Sequence, residues 1–310
     1  MMEISARLVK QLRDRTGAGM MDCKRALVEM DGDIEAATKY LRKKGLMDAA
    51  KKSSRIAADG LISIAILADK KSAAIVEINS ETDFVARNEK FQDIVSKIAT
   101  VALGNDLINS ILSAKYPNSE KTIKEEIDLL ISLIGENITL RRAKRISVKN
   151  GIISSYIHNI ITPAMGKIGV LVALEAEGDF CATKAEEFGK RIAMHIAAAN
   201  PTYLCPKCVP QDIIDKEKEI VLSQAKELGK PENIAEKMAE GRIAKFIEES
   251  TLIEQIFVMD GKTKIKDVLE AFNKENGFNI KIASFSKFVL GEGIAKTETN
   301  FAEEVQSFMR

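Results

Sequence analysis

The 310-residue sequence predicts an α+β protein built from several parts, on three observations. The first fifty residues carry apolar side chains at helical spacing. From Gly60 the apolar period falls to two, the mark of strands. A hairpin-then-helix pattern beginning at Gly60 recurs weakly from Gly151, which implies a core of two related α+β subdomains.

Three helices open the chain. Ile4, Leu8, Val9 and Leu12 line one face of the first, which should end at Thr16-Gly17-Ala18-Gly19, where glycine permits a left-handed backbone. The second carries Cys23, Leu27 and Met30 and ends at Asp31-Gly32, leaving Asp33 to cap the third through its side chain. That third helix carries Ile34, Ala37, Tyr40 and Leu41, gathers Lys39, Arg42, Lys43 and Lys44 near its negative end, and should stop before Gly45. Lys51-Lys52-Ser53-Ser54-Arg55 then reads as a polar linker or a solvated helix face. Such a module suits binding and is too poor in polar constellations for catalysis.

Residues 61–67 and 72–78 flank Ala68-Asp69-Lys70-Lys71 as a hairpin. A polar stretch over 79–88, interrupted by Phe84 and Val85, leads into a helix with Phe91, Ile94, Val95 and Ile98. In the second copy, Gly151-Ile152-Ile153-Ser154 echoes Gly60-Leu61-Ile62-Ser63, and Asp179-Phe180 falls where Asp83-Phe84 does. A helix with Phe188, Ile192, Ile196 and Ala197 closes that copy. Between the two, residues 123–138 have a helical pattern ending near Gly135-Glu136-Asn137.

Residues 211–250 read as an antiparallel helical hairpin broken at Gly229-Lys230-Pro231, thin enough to project from the body as a coiled coil. Ile213, Ile214, Ile220, Val221, Ala225 and Leu228 line one face of the first helix, and Ile234, Met238, Ile243 and Ile247 mark the returning one. A strand at 278–282 and a short C-terminal helix with Phe301, Val305 and Phe308 end the chain. The expected units are 1–55, an N-terminal module with its linker; 56–150 and 151–290, the two core subdomains, the second including the hairpin; and 291–310, a C-terminal module.

Composition narrows the function. Lys+Arg 46 against Asp+Glu 45 leaves a net charge of +1, which argues against a large nucleic-acid footprint or a polybasic membrane anchor. Aromatic residues make up 5% and Trp is absent, which disfavours sugar platforms and base stacking. Two histidines exclude a histidine-rich metal site and leave little for acid–base chemistry. Without a signal pattern or an apolar run of about 18 residues, a cytoplasmic location is expected.

Several residues could carry chemistry. Cys205-Pro206-Lys207-Cys208 supplies two metal ligands where zinc wants four; incidental loop cysteines are the expectation, a redox pair or a shared metal the alternatives. His195, among apolar helix neighbours, suits a core or subdomain contact. His158, at the end of a strand-like run, suits either a plain surface position or a partner contact. Gly166-Lys167-Ile168-Gly169 and Gly291-Glu292-Gly293 lack phosphate-loop spacing and read as turns. Thr82-Asp83-Phe84-Val85 lies on a loop at one end of a sheet, where Phe84 is either a core plug or an offering to a partner.

Five stretches, in order and spanning essentially the whole chain, are similar to signatures of bacterial elongation factor Ts: 16–24 (Thr-Gly-Ala-Gly-Met-Met-Asp-Cys-Lys), 79–88 around Thr82-Asp83-Phe84-Val85, Gly135-Glu136-Asn137-Ile138, Ala193-Met194-His195-Ile196-Ala197-Ala198 and Gly291-Glu292-Gly293-Ile294. The resemblance implies a UBA-like three-helix module, a duplicated core, a projecting hairpin and a C-terminal module. It implies a non-enzymatic, cofactor-free guanine-nucleotide exchange factor for the GTPase elongation factor Tu, and leaves room for a dimeric assembly of their complex. By that resemblance, the loop Thr82, Asp83, Phe84 and Val85 enters the partner's nucleotide-binding domain and dislocates its Mg2+. Arg13, Met20 and Met21 contact the same domain, and His158 lies near a contact with another. The chain departs from the family at Ile256, where a proline is common, over 160–165, which is longer than the usual glycine turn, and at the cysteine pair, which inherits no family role.

Overall fold

The computed structural model describes residues 4–295, so the expected C-terminal helix with Phe301, Val305 and Phe308 lies outside the described residues. Helix α1 (Ala6–Thr16) starts where the Ser5 hydroxyl accepts the Leu8 N–H and stops at a left-handed Gly17. After α2 (Met20–Glu29), the Asp33 carboxylate accepts the N–H groups of Glu35 and Ala36 and begins α3 (Ile34–Lys52). Leu12, Cys23, Ala26, Leu27 and Ala37 are completely buried among these helices.

Helix α3 does not stop at Gly45. It continues to Lys52, because Gly45 is the point where it lies on helix α6 (Ile123–Ile134): a Cβ there would sit 3.5 Å from the Ser132 Cβ. Contact with a neighbour, rather than chain termination, accounts for that glycine. Lys51 and Lys52 therefore form the last turn of α3, facing its negative end.

The first hairpin is β1 (Asp59–Ile66) and β2 (Ser72–Ser80), followed by α4 (Glu89–Ala102), capped by Asn88. Next come α5 (Ile108–Ser113), the α6 already placed, and β3 (Ile138–Ser147), which pairs with β2. The second hairpin is β4 (Gly151–Thr162) and β5 (Met165–Ala176), followed by α7 (Ala182–Ala199). Helices α8 (Gln211–Glu227) and α9 (Glu232–Ser250), then α10 (Ile265–Asn276) and β6 (Ile280–Val289), complete the described chain.

The six strands among the described residues form one antiparallel sheet. β5 pairs β4 along one edge; along the other it pairs β1 only at Met165 and Gly166, then β6 from Ile168 to Ala176. The sheet thus forks at β5, and its halves turn toward each other. Strand alternation then gives each half two apolar faces. Leu61, Ala74, Val76 and Ile78 pack on α4 and α6, while Val170, Val172 and Leu174 pack on α7. The intervening residues, Ile62, Ile64, Ile75, Ile153, Leu171 and Ala173, meet in a third cluster between the halves. Gly166 and Gly169 belong to β5 and not to a turn. A Cβ on Gly169 would lie 2.7 Å from Ile62 Cγ2 and 2.8 Å from Ile75 Cδ1, so the glycine admits the other half-sheet.

The two hairpins repeat in register as well as in outline. Gly60 faces Asn79 and Gly151 faces Glu175, both glycines at positive φ, +122° and +153°. A Cβ would meet the Ile78 carbonyl at 2.2 Å in one and the Leu174 carbonyl at 2.0 Å in the other.

In the helical pair, the seam is made by Val221, Ala225, Ala235 and Ala239, which are buried against each other's helices. Ile220, Leu228, Ile234 and Met238, expected on the packed faces, stand exposed. Alanines allow the close approach, and the larger residues flank it.

Candidate partner-binding surface

Strand β2 ends in Asn79 and Ser80, both buried, and its continuation turns back across the junction between α6 and β3. There Thr82 is held at three atoms. Its N–H and hydroxyl donate to the two carboxylate oxygens of Glu136 at 2.9 and 2.6 Å, and its carbonyl accepts the Ser80 hydroxyl at 2.9 Å. In return, Glu81 accepts the Asn137 N–H at 2.6 Å, while the Asn137 amide donates to the Arg55 carbonyl.

A 3-10 turn, Val85–Arg87, follows and leads to the Asn88 cap of α4. Phe84 and Val85 divide the two roles the sequence left open: Val85 is buried in the cluster under α4, and Phe84 is 78% exposed. Thr82 and Asp83 are exposed beside it.

Met20 and Met21 open α2 at 54% and 66% exposed, where adjacency to glycines alone would suit ordinary core, and Arg13 is exposed on α1. The corner Thr16-Gly17 shares a cleft of about 400 Å3 with Glu89, Lys90 and Asp93 at the start of α4, so the structure brings the N-terminal helices and the region after Phe84 to one groove. Tyr116 lines it and donates to Asp93 at 2.9 Å; burial first, then that carboxylate, push the phenol up to about 12.

His158 is elsewhere. It is exposed within β4, its Nδ1 3.0 Å from the Tyr156 hydroxyl, and strands β1 and β5 lie between β4 and β2. His195 is fully buried: Nδ1 accepts the Val258 N–H at 3.3 Å, leaving Nε2–H to donate to Gln255 at 2.9 Å, and burial lowers its pKa. Cys205 and Cys208 are not incidental loop cysteines; they are disulfide-bonded, with Cα atoms 5.2 Å apart. Among the described residues no cluster of three or more His, Cys, Asp or Glu could hold a metal, and no helix is long and apolar enough to cross a membrane.

Sequence reasoning passed over Glu77. It is 0% exposed on β2, accepts from Asn79, Arg141 and Arg142, and receives the Gly291 N–H at 2.8 Å. Burial pushes its pKa up, but the Gly291 N–H, Arg142 and Asn79 together hold it below the usual carboxylate range. Arg142 also bonds the Val289 carbonyl at 2.8 Å and lies over the Phe288 ring, so one buried carboxylate ties β2 and β3 to the turn after β6. The charged text of β3, Arg141-Arg142-Ala143-Lys144-Arg145, hides both the strand and this role.

An α+β fold with one forked antiparallel sheet, and with exposed apolar groups gathered on a braced loop and a helix start, defines a class of protein that presents a surface. The comparisons narrow the class. The family described as Elongation factor TS matches residues 81–292. The chain is 52% identical over 309 residues to "Elongation factor Ts" of Rhodospirillum centenum, covering 99% of each chain. It is 50% identical over 305 residues to that of Bartonella henselae, covering 98% of each. The chain belongs to the elongation factor Ts family.

Proposed function

We propose that this protein is a guanine-nucleotide exchange factor in translation elongation, acting on elongation factor Tu in its GDP-bound form. The loop Thr82–Val85 enters the partner's nucleotide-binding domain, Phe84 wedges between its elements, and Asp83 faces the phosphate and Mg2+ side. The ion is the partner's. Displacing its surroundings by about an ångström weakens the charge stabilisation of the bound diphosphate, because that interaction falls steeply with distance in a site closed to water. GDP leaves, GTP enters, and GTP binding releases the factor. No bond is made or broken by this chain.

Coupling is reciprocal: the factor by which this protein lowers GDP affinity is the factor by which GDP lowers affinity for this protein. The observation that carries the reading, within the family, is the 78% exposure of Phe84 on a loop otherwise tied down. An exposed aromatic on a rigid mount loses little entropy on docking. Val85 anchors that loop from below. Arg13, Met20 and Met21 extend the same contact, His158 meets a second domain of the partner, and the factor works in the cytoplasm.

The chain is organised in the units 1–55, 56–150, 151–290 and 291–310, with α8 and α9 as a projecting coiled coil. Stopped-flow release of fluorescent GDP from elongation factor Tu tests the function. Acceleration by catalytic amounts of this protein is the expected result, and its absence with a folded factor and competent partner overturns it. The mass of the complex in solution distinguishes a one-to-one pair from a dimer of pairs.

A further inference from the structure

We infer that Glu136 is a positioning residue for exchange: its carboxylate, fixed at the α6–β3 junction, holds the Thr82–Phe84 segment in its protruding form before any partner arrives. The inference rests on the exchange function proposed above. Four observations support it.

The bond pattern is a cross-brace between two chain segments far apart in sequence. Glu136 takes both donors of Thr82, and Glu81, one residue earlier, takes the N–H of Asn137, one residue later. Two carboxylates on opposite strands of the brace each bond the other segment, which fixes direction as well as distance.

The mount is rigid. Glu136 follows Gly135, whose left-handed conformation ends α6, and precedes Asn137 and Ile138, both buried at the start of β3. A side chain on such a junction loses little freedom in aiming at Thr82.

The loop tip itself is lightly held: Asp83 and Phe84 are exposed, and among the described residues their carbonyls accept from Ala86 and Arg87 within the following turn. Ordering therefore enters from Thr82 on one side and buried Val85 on the other.

The second copy supplies a natural contrast. Counting five residues on from the paired positions Asn79 and Glu175 aligns Phe84 with Phe180 and Thr82 with Gly178. Gly178 has no hydroxyl, the 3-10 turn is missing before α7, and Phe180 is partly buried against the second core. Where the braced threonine is absent, the phenylalanine folds in.

The experiment measures the second-order rate constant for GDP release from elongation factor Tu with the full-length wild-type factor and with Glu136→Ala, Glu136→Gln and Thr82→Val. Glu136→Ala should lower it about tenfold, below the full worth of two hydrogen bonds to a charged acceptor because both bonds face solvent. Glu136→Gln should recover most of the rate, since its amide oxygen accepts the Thr82 N–H and its amide nitrogen donates to the Thr82 hydroxyl. Thr82→Val, which keeps the N–H bond, should fall between. Amide hydrogen exchange at Thr82 in the free factor should quicken in Glu136→Ala without a shift in the global unfolding midpoint.

Wild-type rates in Glu136→Ala would overturn the inference. So would a Gln variant as impaired as Ala, which would assign the effect to charge, or a loss of exchange that only follows global unfolding. If Glu136→Ala fails to fold, Thr82→Val and its amide exchange decide. Failure of the wild-type factor to accelerate release would instead count against the exchange function itself.

Discussion

The two hairpin–helix units share a register but treat two positions oppositely. Position 77 in the first and position 173 in the second both face an isoleucine, Ile62 and Ile153, across their hairpins. One holds a buried carboxylate bonded to two arginines and the other a buried alanine. Strand geometry therefore does not need the charge. It serves the turn Gly291-Glu292-Gly293, which the Glu77 carboxylate and the arginines secure. Phe84 and Phe180 differ in the same spirit: equal places in the repeat, one exposed and one packed. The duplicated frame carries stability in both halves, while its exposed end differs in only one.

The largest effect should come from making the first hairpin like the second. Glu77→Ala leaves two arginines facing each other without their carboxylate and should cost about 3 kcal/mol in denaturant unfolding, at the low end for a broken buried pair because the arginines keep some solvent. Replacing Glu77, Arg141 and Arg142 together by apolar residues should recover much of that loss. A mild effect of Glu77→Ala alone would mean the network is not a stabilising tie.

The glycines test whether the halves are equivalent. Gly60→Ala and Gly151→Ala should each destabilise by about 2 kcal/mol or more, since each forces a Cβ onto the facing carbonyl at positive φ. A large difference between them, measured side by side, would break the equivalence.

The phenylalanines should give a crossed result. Phe84→Ala should slow exchange about 30-fold, in the range of an interface hot spot, and shift stability by less than about 0.5 kcal/mol. Phe180→Ala should do the reverse, costing about 1–2 kcal/mol of stability for its partly buried ring and leaving exchange unchanged.

The smallest effect is a pH slope confined to the second half, which holds both histidines. Burial lowers the His195 pKa, so the unfolded chain binds the proton more readily than the folded one. Stability should be complete above about pH 6.5 and fall as pH drops through that value, by at most about 1.4 kcal/mol per pH unit. His195→Gln should flatten the slope between pH 7 and 5; an unchanged slope would place the titration elsewhere.

Much of this was legible in the residues. Short β-branched apolar runs marked the hairpins, and they are nearly continuous because one face of each strand packs on a helix and the other on the facing half-sheet. Caps at Asp33 and glycine corners marked helix ends. The misses have physical reasons. Gly45 looked like a stop because a glycine required by a neighbouring helix is written the same way as one required by a turn. β3 was hidden because its four charges mask the strand pattern, though Arg141 and Arg142 are half-covered, and Gly166–Gly169 looked like a turn because close sheet packing also selects glycine. At the site, exposure of Phe84 depended on which of two adjacent apolar residues turns inward, a choice made by the brace from Glu136. That partner lies 54 residues away and no local pattern points to it.

The fork at β5 also sets a timetable for synthesis. Ile62, Ile64 and Ile75 are made early, but the residues that cover their inner face, Leu171 and Ala173, come roughly a hundred residues later. At ribosomal speeds that is a delay on the order of 5–20 s during which a greasy strand face is complete and uncovered. The nascent chain is thus most exposed to aggregation and to chaperone capture in this interval, which closes when β5 emerges to meet it.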